Sequence, residues 1–123
     1  MTQENKQLLL VDLSARLPYK VKVCLYEKET CILLGIDGYE VYLDVDSDSF
    51  RIESIKPYLR PMSSMTEEEV DEFTQFDVYA NGEYIMSNYE MIDWLNAHHF
   101  DYRGLIEKGL AIEAPDGMYG KEE

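Results

Sequence analysis

The chain has 123 residues, 46% apolar and 29% charged, and 11 Lys and Arg against 25 Asp and Glu leave a net charge of −14. That composition describes one small acidic globular domain over residues 1–123, able to bury about two-thirds of its unfolded surface without a metal or disulfide staple. It excludes a membrane-spanning helix, because no apolar run approaches the ~20 residues required, and with no basic leader in Met1–Lys6 the expected location is the cytoplasm.

Residues 3–17 place Leu9, Leu10, Leu13 and Leu17 at spacings of three and four, with Pro18 just beyond, and this predicts an amphipathic helix. From Lys20 the period becomes two. Val21, Val23 and Leu25 alternate with Lys22, Cys24 and Tyr26, then Glu27-Lys28-Glu29-Thr30 turns the chain into Cys31–Ile36. Asp37-Gly38 precedes a second alternating run, Tyr39–Val45, and is read as a hairpin turn with both central residues at positive φ. Asp46–Ser49 forms a third turn, Phe50-Arg51-Ile52 a short fourth strand, and Ile55–Leu59 the look of a last one. Strands this short cannot build a sandwich. Residues 19–60 are therefore expected as a small curved antiparallel sheet or a Tudor-like or Src-homology-3-like partial barrel, and the fold class as α+β.

Residues 62–114 read as an acidic helical half. Thr66 and Glu69 make a capping box, Met65 and Val70 the matching hydrophobic staple, and Val70, Phe73 and Phe76 a buried stripe. A hairpin over 76–86 turns at Asn81-Gly82. The capping grammar then repeats with Ser87, Glu90, Met86 and Met91, and Ile92, Leu95 and His99 continue one helix face. Asp101 is expected to cap a last short helix through Lys108, ended by Gly109, before a brief strand at Leu110–Ala114 and a frayed tail over 115–123.

Charge is unevenly placed. Residues 1–61 carry a net −2 and residues 62–123 a net −12, with no Lys or Arg between Arg60 and Arg103. A nucleic-acid backbone is repelled by such a field, so direct nucleic-acid binding is not expected. Lys20, Lys22, Lys56 and Arg60, among the tyrosines of the other half, are too few bases for a strong nucleic-acid surface.

The motifs of catalysis and metal binding fail in turn. Asp44, Asp46 and Asp48 open like a calcium loop, yet Ser49 and Ile55 stand where Gly and Glu are needed. His98 and His99 are adjacent and point about 100° apart on a helix, and Cys24 and Cys31 have no second thiol pair, so no metal site and no cofactor is expected. The cysteines read as small buried hydrophobes. No serine sits in a nucleophile elbow, and Gly104 to Ala111 lacks the Lys and hydroxyl of a phosphate loop. No catalytic residue is named. The expected function is non-enzymatic protein binding, in which Glu67, Glu68, Asp71 and Glu72, like-charged at helical spacing, meet a basic surface on a nucleic-acid-handling partner. The alternative is a small enzyme or ligand-binding domain built around Trp94, His98, His99, Asp101, Tyr102 and Arg103, with Arg103 paired to Asp101 or another nearby acid.

The tracts Leu17–Val23, Leu34–Asp37, Glu40–Leu43, Ile55–Glu69 and Trp94–Ala111, in this order, resemble a family of small uncharacterised proteins from gut bacteria of the Bacteroides type. The resemblance spans nearly the whole chain, least clearly at Gln75–Tyr89. It implies a prophage or mobile-element context and carries no activity, ligand or catalytic residue.

Overall fold

The computed structural model describes residues 1–45, 47–74, 79–80, 83–84 and 88–119. Helix α1 spans Gln3–Arg16 and is started by Thr2, whose hydroxyl accepts from the Asn5 N–H at 3.1 Å. A 3₁₀ turn at Leu17–Tyr19 and Lys20 at φ 57° then reverse the chain. Helix α1 thus stops one residue short of the expected Leu17. Strands β1 (Lys22–Leu25), β2 (Glu29–Asp37), β3 (Glu40–Leu43) and β4 (Ser49–Arg51) follow as an antiparallel meander, and a single 3₁₀ turn at Ile52–Ser54 leads to β5 (Ile55–Pro61).

Strand β5 pairs antiparallel with β1, giving the order β4-β3-β2-β1-β5. The sheet curves and does not close. It is also mixed where an antiparallel one was expected, because β8 (Phe100–Asp101) and β9 (Ile112–Glu113) both run parallel to β5. Two short pieces of the C-terminal half therefore complete the N-terminal sheet. Between β5 and β8 come α2 (Glu67–Thr74), the hairpin of β6 (Tyr79–Ala80) and β7 (Glu83–Tyr84), and α3 (Asn88–Ala97). The α+β architecture is as read from the sequence.

Alternation fills the core. Val21, Val23, Leu33, Val41, Leu43, Ile55 and Leu59 are buried on the inner face, and Leu9 and Leu13 of α1 pack against them with Leu105 and Leu110. Cys24 and Cys31 are free and buried. Leu34, 60% exposed, is the extra residue of a register shift between Leu33 and Gly35, after which Ile36, opposite Val41, packs against the core.

Several local readings are corrected. Asp37 pairs with Glu40, so the hairpin loop is Gly38-Tyr39. Gly38 is at φ 64° and Tyr39 is not at positive φ, which is the type II′ arrangement with glycine first. Val70 is 43% exposed and does not join a buried stripe, while Phe73 is half-buried. The sequence-predicted roles of Phe76, the Asn81-Gly82 turn, Met86 and Ser87 lie outside the described residues. Among the described residues, no helix follows Asp101. Its carboxylate does accept from the N–H groups of Leu105 and Ile106, at 2.8 and 3.0 Å, but Gly104 at φ 76° and Gly109 at φ 77° hold residues 102–109 in successive turns. Residues 115–119, expected as part of a tail, fold back onto the sheet through Tyr119. Among the described residues, no helix is long and apolar enough to cross a membrane.

Candidate binding cleft

Helix α3 ends at Ala97, and His99, at φ 64°, takes the left-handed conformation that turns the chain directly into β8. That corner presents His98 and His99 beside the end of β5, where the Arg60 N–H donates to the His99 carbonyl at 2.8 Å. The His98 ring is fixed by a 2.9 Å bond between Nδ1 and the Trp94 carbonyl, and it stacks on the Trp94 ring at 4.1 Å.

Opposite the corner stands the first turn of α2. Its capping box is formed as read from the sequence: the Thr66 N–H donates to the Glu69 carboxylate at 2.9 Å and the Glu69 N–H to the Thr66 hydroxyl at 3.1 Å. Glu69 has a second role that the sequence did not reveal. Arg60 grips it with two guanidinium nitrogens, at 2.8 and 2.6 Å, and this donation holds the Glu69 carboxyl down at about 2.

The third wall comes from the chain's end. Strand β9 runs beside β5, the Ala114 N–H donates to the Leu59 carbonyl at 2.8 Å, and the next residues turn to deliver Tyr119. The Tyr119 ring lies on His99 with centroids 3.6 Å apart. Its hydroxyl accepts from the Lys22 N–H at 3.0 Å and donates to the Tyr58 carbonyl at 2.7 Å. Since the β1–β5 register ends at Val23 opposite Pro57, this hydroxyl bridges the strands where the ladder stops.

Together these parts enclose a cleft of about 570 Å³. Carboxylates line it from two sides: Glu68, Glu69 and Glu72 from α2, Glu113 and Asp116 from the terminal segment. The guanidinium in the lining, Arg60, is already held by Glu69. At the base His99 is 8% exposed, and its Nδ1 has no partner among the described residues. Burial, reinforced by the positive charges of Arg16, Arg60 and Lys22, pushes the imidazole down to about 3, so His99 is neutral at pH 7. Burial likewise raises the Tyr119 hydroxyl above its ordinary range. No group of three or more His, Cys, Asp or Glu among the described residues is arranged to hold a metal ion.

The two sets of residues read from the sequence as separate sites are therefore partly one. Glu68, Glu72, His98 and His99 line the same cleft, and the Trp94 indole N–H donates to Glu72 at 3.0 Å, joining them from behind. Glu67 and Asp71 share the exposed helix but do not line the cleft. Asp101, Tyr102 and Arg103 lie apart, around a buried ion pair. Arg16, fully buried, donates to both oxygens of Asp12, also fully buried, at 2.7 and 3.1 Å, and to the Phe100 carbonyl at 2.6 Å. Arg103 pairs with Asp12 at 3.3 Å, not with Asp101, whose carboxylate is used by Leu105 and Ile106. Tyr102 lies under both guanidinium groups, each 5.2 Å from its ring, and donates to Asn96 at 2.8 Å.

Sequence reasoning missed Asp12, Arg16 and Tyr119. The i,i+4 spacing of Asp12 and Arg16 was a usable signal; a lone tyrosine in a polar tail was not. In comparisons with known proteins, no family model, curated protein or solved structure matches the chain.

Proposed function

We propose that this protein is a non-enzymatic binding module whose cleft receives a basic segment of a protein partner. The observation that carries this reading is the charge of the walls: carboxylates converge from α2 and from residues 113–116, while the Arg60 guanidinium is neutralised by Glu69. A cationic side chain entering between them is attracted from both sides. Partners that handle nucleic acid carry such segments, in keeping with the mobile-element context that the resemblance implies. Direct nucleic-acid binding is disfavoured on the same grounds, because two of the four bases that would serve it, Lys22 and Arg60, are engaged with the Met118 carbonyl and with Glu69.

The test is fluorescence anisotropy with a labelled basic peptide, set against a neutral peptide of equal length and a DNA duplex. The basic peptide is expected to bind alone and to weaken by about tenfold or more between 50 and 300 mM salt, and Glu68→Lys with Glu72→Lys should abolish binding. Equal binding of the neutral peptide, or none of the basic one, overturns the reading. A second reading, a small ligand or substrate held around His98 and His99, is favoured by both rings lining the cleft. It predicts uptake of an uncharged ligand that persists at high salt.

A further inference from the structure

Within the cleft the protein already binds one guanidinium, its own. Arg60 lies 4.2 Å from the centre of the Phe100 ring and forks onto the Glu69 carboxylate at 2.8 and 2.6 Å. Those are the two parts of an arginine site: a flat ring under the guanidinium and a carboxylate in its plane. Both parts recur beside it. The His98 ring is nearly parallel to Phe100, at 18°, and to Trp94, at 28°, and it is half-buried in the cleft lining with its orientation fixed by the Trp94 carbonyl. Glu72 is held from behind by the Trp94 indole, and a carboxylate has about four acceptor positions, so that one bond leaves capacity for a two-pronged donor. Glu68, one helical turn away, adds charge.

We infer that the cleft selects arginine over lysine: the partner's guanidinium lies on the His98 ring and forks onto Glu72. The inference rests on the proposed binding of a basic segment and names the residue type that is read. An ammonium, compact and strongly hydrated, gains the charge attraction of the walls but neither the ring contact nor the fork.

The experiment is calorimetric titration of the full chain with two capped hexapeptides, identical except that three arginines in one are lysines in the other. The arginine peptide should bind about tenfold more tightly at the same salt, the scale of one well-formed guanidinium–ring contact. His98→Ala should bring the two affinities to within about twofold while both peptides still bind, and His98→Phe, which keeps a flat ring, should retain the preference. Circular dichroism of each variant checks that it is folded. Equal affinities for the wild-type protein, or a preference that survives His98→Ala, overturn the inference and leave a cleft that reads charge alone. Binding of neither peptide overturns the cleft reading itself.

Discussion

Arg16 is a charged side chain with no exposed surface, and its position in the helix explains how it comes to be there. Seven residues after Leu9, it returns to within about 20° of that leucine on the helical wheel, so it falls on the apolar stripe. It is held in the interior because Asp12, one turn earlier, neutralises it through two hydrogen bonds and the Phe100 carbonyl takes a third. Arg16→Met removes the cation but leaves the Asp12 carboxylate buried, with Arg103 at 3.3 Å as its partner among the described residues. Destabilisation of about 3–5 kcal/mol is expected in urea denaturation, and the double variant Asp12→Leu, Arg16→Met should lose less than the single one. The spacing of the pair was legible in the sequence. Its burial was not, because what buries it is the Phe100–Tyr102 segment, more than eighty residues away.

At the scale of elements, local grammar was read well and long-range pairing was not. The Thr66–Glu69 box, the strand alternation and the Asp37-Gly38 reversal all depend on neighbours within a few residues, and all are present, the last with its loop shifted by one position. Residues 101–109 show where such reading fails. The Asp101 carboxylate accepts from Leu105 and Ile106, four and five residues on where a helix cap reaches two or three, and the single turn that follows is closed by Gly109 at positive φ before a helix can propagate. The strand β9 falls within the brief strand expected at Leu110–Ala114, but β8 was not expected, and strands of two residues carry no periodicity from which their parallel pairing with β5 could be read. Glu69 allows the local and tertiary contributions to be separated. Thr66→Ala should cost about 1 kcal/mol, the loss of one helix cap, whereas Glu69→Ala, which removes the cap partner and the Arg60 fork together, should cost about 2 kcal/mol by chemical denaturation.

For the whole molecule, the segregation of charge was countable from composition, but the cleft it feeds was not, since α2, the α3–β8 corner and the terminal segment meet only in the fold. The cleft also sets the acid response. His99 has a folded pKa of about 3 against an ordinary 6.5, so the unfolded chain takes up the proton first, and its contribution is complete above pH 6.5 and lost as pH falls toward 3. Glu69, held at about 2 against 4.5, contributes above pH 4.5 and is lost below it. Stability should therefore decline in two overlapping windows, with His99 alone contributing between pH 6.5 and 4.5 and both groups below that. His99→Asn, which keeps a residue tolerant of the left-handed backbone but cannot titrate, should flatten the first window in denaturation curves taken across that range. Tyr119 carries a further consequence, for biosynthesis. Its hydroxyl joins Lys22 to Tyr58 across separations of 97 and 61 residues. While the ribosome is still making the second half of the chain, the meander of β1 to β5 can form, but its central strand pair stays unbridged beyond Val23 and Pro57. That bridge thus waits for a residue made 61 positions after Tyr58, and until then the nascent sheet exposes backbone groups that a neighbouring nascent chain can capture.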